Sequence, residues 1–239
     1  MLRQHITPAW VYLGGLVLTV VAGVINAVGF LGVHHQALSH MSGTVTTLGM
    51  ELGRADYAVA LHALAILASF FTGCLVSGAI ISQGHLMLGR RYGVTMSLES
   101  LALFLAVYFL QRGANAGDYL AALACGLQNA MVSSYSGSTM RTTHMTGMVT
   151  DLGIACGHFI RGDTVDWYKF KLYGVLFLGF FAGGVIGALG YGRLGYNTLL
   201  FPAALSGVAG VGYTALKHYE RTRKAKQRHT HPPGPMAAR

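Results

Sequence analysis

The chain has 239 residues, 53% of them hydrophobic and only 10% charged, with a formal net charge of +9. A soluble domain is about 25% charged; here the few charges are segregated between apolar runs of roughly 17 residues or more, long enough to cross a hydrocarbon layer of about 30 Å. This excludes an ordinary soluble globular domain. It also leaves no nucleic-acid partner, because much of the positive charge sits in one terminal tail and forms no patch. The expected class is an all-α integral membrane protein whose first partner is the lipid bilayer.

In chain order, the first expected span is Trp10–Gly32. Its apolar run is too long for a signal h-region and only Arg3 precedes it, so it reads as a retained helix. Next comes a short mixed stretch, Ser39–Gly53, too polar for a span and too apolar for a loop. The second span is Ala58–Ser82 and the third Thr95–Leu110, which carries Glu99. The fourth is Asp118–Ser134. A second short stretch, Thr143–Gly157, precedes the fifth span, Phe170–Tyr191, and the sixth is Thr198–Leu216. The basic segment 218–239 has adjacent prolines and no hydrophobic period, so it is expected to be a disordered cytoplasmic tail. Trp10 and Trp167 fall where interfacial aromatics belong. The 33 glycines would weaken soluble helices, but in lipid they let helices approach closely. Cys74, Cys125 and Cys156 show no metal-ligand spacing and read as packing residues.

The two short stretches are copies. Of fifteen aligned positions eight are identical, among them His40/His144, Gly43/Gly147, Leu48/Leu152 and Gly53/Gly157. The copying extends outward. Gly23–Ala27 (GVINA) matches Gly126–Ala130 (GLQNA), and Phe70–Ala79 matches Phe180–Leu189, with small residues at Gly73/Ser77 and Gly183/Gly187. The expected organisation is one membrane domain, 1–217, made of repeat 1 (about 9–111) and repeat 2 (about 118–217). Fifteen helical residues reach about 22 Å, so each short stretch is expected to re-enter. Each repeat then crosses three times, and an odd number makes the repeats inverted. The architecture is six spans plus two half-helices. With both termini inside, it puts Arg3, Arg90, Arg91, Arg141, Arg161, Lys169 and Lys171 inside and only Arg54, Arg112 and Arg193 outside. An eight-span reading moves Arg90, Arg91, Arg141 and Arg193 outside.

A half-helix that starts inside a membrane presents free N–H groups and about half a positive charge. Ser39 or Ser42, and Thr143 or Thr146, are the expected N-caps. Two inverted copies are expected to bring these ends together near the midplane, around a small polar or anionic solute. The residues expected to line that site are His40, His144, Asn26, Asn129, Thr146, Asp151 and Arg141. Each has a local alternative. The histidines can bond loop carbonyls, the asparagines can satisfy freed backbone groups, and Arg141 can pair with Asp151, which stands where the first copy has Thr47. Glu99 is either a second buried acid or a headgroup-facing one.

The stretches NAVGFL…SHMSGTVTTLG and GLQNAMVSSYSGSTMRTTHMTGMVTDLG resemble the YoaK-type family of bacterial inner-membrane proteins, a domain-of-unknown-function family. The likeness covers nearly the whole chain before the tail. The first copy departs from it, with Ser42-Gly43-Thr44 where a threonine-glycine-asparagine sequence is expected. The resemblance implies a bacterial plasma-membrane location and about six spans, and no established reaction.

The expected function is therefore a small transporter or channel without cofactor. No nucleotide loop, serine triad or dinucleotide fingerprint is present. Two other classes stay open: an intramembrane metal enzyme using His40, His144 and Asp151, and a non-catalytic assembly subunit. The small-residue faces serve packing within one chain or in a homo-oligomer.

Overall fold

The structure, a computed structural model, describes residues 9–81, 90–136 and 140–230. Among these residues it is all-helical: α1 (Ala9–Leu31), α2 (Met41–Gly53), α3 (Tyr57–Ile80), α4 (Arg90–Leu110), α5 (Ala116–Ser136), α6 (Met145–Arg161), α7 (Trp167–Leu194), a 3-10 turn (Gly195–Leu199) and α8 (Leu200–Thr230). Each expected span is a helix, and so is each short stretch. Four stretches are long and apolar enough to cross a membrane: Tyr12–Leu31, Tyr57–Ile80, Arg91–Leu110 and Trp167–Tyr219, the last covering α7, the 3-10 turn and most of α8.

Boundaries moved for simple reasons. α4 begins at Arg90, upstream of the expected Thr95, because Arg90 and Arg91 are good helix formers that hydropathy discounts. α8 continues to Thr230. The first part of the basic tail is thus helical, as a run rich in Lys and Arg allows; residues 231–239 lie outside the described residues, as does Arg3. Asp56 caps α3 by accepting from the Val59 N–H (3.2 Å), and Asp166 caps α7 by accepting from the Lys169 N–H (3.1 Å). α6 stops at Gly162, whose φ of +77° is the left-handed C-terminal stop that glycine supplies.

The long helices pack in pairs: α1 on α7, α3 on α5, and α4 on α8 with α5 against α4. Bare backbone makes the first two contacts. A Cβ on Gly23 would overlap the Phe180 carbonyl, and one on Gly126 the Phe70 carbonyl. Conversely, a Cβ on Gly183 would strike the Val20 carbonyl, and one on Gly73 the Leu123 carbonyl. α1 and α7 run parallel, since Gly15 meets Leu176 and Gly187 meets Val24 and Ala27. α4 and α8 run antiparallel, with Gly93 at Thr214 and Gly207 at Ser100. The outward faces are apolar: Phe71, Leu75, Leu178, Phe181 and Val208 are all exposed. In water they would be a liability; in hydrocarbon they are the solvent-facing surface.

Two ends result. At one end α1, α4 and α7 finish and α3, α5 and α8 begin. There the Val33 N–H donates to the Tyr196 hydroxyl (2.9 Å) and Gln111 Nε2 donates to Asn197 Oδ1 (2.6 Å). At the other end Ile81, Tyr92, Met131, Met140, Met148, Leu172 and Leu176 form a separate apolar cluster.

Candidate functional site

The short helices begin differently from the expectation. Their N-caps are His40 and His144, and neither makes a side-chain capping bond. No serine or threonine caps them. Each imidazole lies over the glycine three residues on, so a Cβ on Gly43 would meet His40 Nδ1 and one on Gly147 would meet the His144 ring. The repeated His-x-x-Gly is thus a local packing unit: the ring covers the first turn that lacks a side chain. His40 Nε2 also shares a hydrogen bond with Ser42 Oγ (3.0 Å).

Asn26 does the backbone work that an amide at a chain break can do. Its Oδ1 accepts from the Ser39 N–H (3.3 Å) and the Ser39 hydroxyl (3.0 Å). Asn26 lies five residues before the end of α1, so α2 starts about 7 Å below that end, short of the midplane. Asn129 Oδ1, its counterpart, is buried without a partner among the described residues.

α2 packs on α3 and α6 on α7, and the two short helices share no contact among the described residues. His40 and His144 are both exposed, and the helices they begin do not touch each other among the described residues. Arg141 is exposed, and no ion pair joins it to Asp151 among the described residues. Asp151 opens instead on a cavity of about 260 Å³ between α6 and α7 that His158, Asp166, Lys169 and Tyr173 also line. Thr146 is exposed on the same helix.

The polar chemistry inside the bundle lies elsewhere. Glu99 is fully buried, in the middle of α4. Gln128 Nε2 on α5 and Ser206 Oγ on α8 both donate to its Oε1, each at 3.1 Å. Its second oxygen, Oε2, has no partner among the described residues. One turn of packing surrounds it: Ser100 donates to the Ala203 carbonyl (2.7 Å), and Gly207 and Gly210 let α8 close on α4 at Ser100 and Ser97. Glu99 therefore stands where α4 and α8 cross, at about half the length of the long helices. Of its two partners, Gln128 was legible: it replaces Ile25 between otherwise matching GVINA and GLQNA. Ser206 had no signal, because a lone serine in an apolar run is ordinary.

A second polar group lies at the end where α1 finishes. His34 Nδ1 is 2.6 Å from Asp118 Oδ2, His62 Nε2 is 3.5 Å from the same oxygen, and His62 Nδ1 bonds the Tyr119 hydroxyl at 3.0 Å. The sequence pattern did not single these out. They come from a connector and two helices and have no counterpart in the other copy.

The family described as "Protein of unknown function (DUF1275)" matches residues 14–212. The chain belongs to the DUF1275 family. This bears out the YoaK-type resemblance of its sequence. The DUF1275 match runs from α1 into α8, so it takes in both short helices, Glu99 and the histidine–aspartate group as one unit. No curated protein and no solved structure matches the chain.

Proposed function

We propose that this DUF1275 protein is a plasma-membrane transporter of a small polar solute, built as an inverted pair of three-span repeats, with Glu99 as its proton-carrying group. The observation that carries the reading is a carboxyl with one unpartnered oxygen, buried at mid-helix among Gln128, Ser206 and Ser100. Ionisable groups are expensive inside a bilayer and mark ion or solute pathways. A carboxyl that takes a proton from one side and releases it to the other would couple solute movement to a proton gradient.

The reciprocal glycine contacts support the repeat. Gly23 against Phe180 in one pair and Gly126 against Phe70 in the other are equivalent positions exchanged between halves. The opposite placement of α2 and α6 supports inversion and six spans. The basic residues Arg91, Arg141, Arg161, Lys169 and Lys171 then share the cytoplasmic end with both termini. The polar faces of the two short helices fit aqueous vestibules, since an exposed polar face is tolerated at membrane depth only beside water or protein. In this reading Asn26 and His40 line the outer entrance. Asn129, Arg141, His144, Thr146 and Asp151 line the inner one. An anion would meet its complement at Arg141, not at two converging helix ends.

The test is reconstitution into proteoliposomes carrying a pH-sensitive dye, challenged with a panel of inorganic anions, small carboxylates, amino acids and sugars. At least one should move protons with it. Glu99→Gln, which keeps the volume and an acceptor oxygen, should abolish proton coupling while leaving solute exchange. Absence of movement across the panel, or unchanged coupling in Glu99→Gln, would overturn the reading.

A further inference from the structure

The side chains of His34, His62 and Asp118 each bring one ligand atom into a group whose members all lie within 4.8 Å of one another. We infer that this group is a binding site for a first-row transition-metal dication of the zinc class, held between the α1–α2 connector, the second turn of α3 and the first turn of α5. The inference does not rest on transport; it stands or falls on geometry and metal binding alone.

The elements aim the three side chains inward. The connector is pinned on both sides of His34: the Val33 N–H is held by the Tyr196 hydroxyl, and His35 Nδ1 bonds the Phe30 carbonyl (2.9 Å). His34 is left facing α5, its ring centroid 4.9 Å from that of His62. Asp118 is in the first turn of α5, and His62 lies in the second turn of α3.

Two observations separate this from a plain hydrogen-bonded cluster. First, His62 Nε2 is buried, faces the Asp118 carboxylate and makes no hydrogen bond among the described residues. Second, the other ring nitrogen of His62 is held by the Tyr119 hydroxyl, on the residue next to Asp118. When Nδ1–H donates to that hydroxyl, Nε2 carries the lone pair and points at the group. This is the outer-shell arrangement that orients a ligating imidazole.

Bond lengths of about 2.0–2.1 Å place tetrahedral ligand atoms about 3.3 Å apart. His62 Nε2 and Asp118 Oδ2 already stand at 3.5 Å. His34 Nδ1 and Asp118 Oδ2, at 2.6 Å, must open by about 0.7 Å to reach that spacing. The His34 side chain can give that much, being 29% exposed where the other two are 10% and 6%. The same exposure provides an entry path and room for a water as fourth ligand. Two imidazoles and one carboxylate suit zinc, iron, cobalt or nickel and not the hard, oxygen-seeking calcium or magnesium. The site lies at the end opposite Arg91, Arg141, Arg161 and Lys169, so it would meet ions from the non-cytoplasmic side.

The experiment uses the full chain purified in detergent, stripped with chelator and titrated with Zn²⁺ against a competing indicator. His229→Ala and His231→Ala remove the closely spaced histidine pair of the tail, a rival chelator by sequence. One Zn²⁺ per chain is expected. His62→Ala and Asp118→Asn should each weaken binding at least 100-fold, and Tyr119→Phe about 10–100-fold, the usual loss for an outer-shell partner. Co²⁺ in place of Zn²⁺ should give the visible absorption of a four-coordinate ion. His34→Cys should add a thiolate-to-cobalt charge-transfer band, a gain that no general loss of structure imitates. Failure to retain one ion per chain, binding indifferent to His62→Ala and Asp118→Asn, or no new band in His34→Cys would each overturn the inference.

Discussion

A Cβ is the smallest change this bundle can register, and the glycines register it unequally. Gly126 and Gly23 sit against backbone carbonyls, whereas Gly184 and Gly49 have nothing within 4 Å of a built Cβ. Gly126→Ala must push α5 off α3, a rigid overlap of the kind that costs about 1–3 kcal/mol. Gly184→Ala adds helix propensity in open space and should be neutral or stabilise by up to about 1 kcal/mol. Thermal melts of the two variants in one detergent check both; equal melting temperatures would mean that the helix pairs do not approach as closely as the backbone contacts require. Gly147→Ala belongs with them. It displaces the His144 ring from the first turn of α6, so it should lower the melting temperature in the same thermal melts, with Gly153→Ala, which meets nothing, as its silent control.

The elements that decide topology are the short helices. α2 has 13 residues and α6 has 17, reaching about 20 and 26 Å. Both fall short of a hydrocarbon layer of about 30 Å. α2 begins beside Asn26 of α1 and ends where α3 begins, so it returns to the side it left. In a chain freed of its own cysteines, His35→Cys and Asp56→Cys should therefore label from one side of the membrane, and Arg141→Cys and Gly162→Cys from the other. Labelling of His35→Cys and Asp56→Cys from opposite sides would make α2 a span. The aspartate caps are a second test at this scale. Asp166→Ala removes the acceptor for the Lys169 N–H and should cost about 0.5–2 kcal/mol. Asp56→Ala removes the matching bond to Val59 and should cost as much, readable as lower thermal stability with helix content retained.

For the whole molecule, the pairing of α1 with α7 and of α3 with α5 means that each half completes its packing with a helix of the other. Neither repeat buries its glycine seams alone. Repeat 1 and repeat 2 expressed as separate polypeptides should therefore yield stable protein only when co-expressed, recovered as a one-to-one complex on affinity purification. Recovery of either half folded by itself would show that the seams are not what holds the halves. The same exchange places Glu99 of the N-terminal half between Gln128 and Ser206 of the C-terminal half. A motion that separated the two halves at this point would break those two bonds, so it would act directly on the proposed proton site.

Hydropathy and self-similarity alone determined the helical membrane class, the long helices, the two short ones and the sequence match of Gly23 with Gly126. The physical reason is that span length and repeated small residues are local properties, written in contiguous letters. The role of the duplicated histidines was not legible. His-x-x-Gly reads equally as a binding motif and as a ring packed over a bare turn, and only the fold shows the latter geometry, on two helices that do not touch among the described residues. Glu99 could face headgroups or protein until α4 was seen to cross α8 at that residue. His34, His62 and Asp118 are separated by long stretches of chain, and no spacing rule joins them. What tertiary structure alone decided is which polar groups meet, because meeting depends on how helices pair across the repeat and not on what any one helix contains.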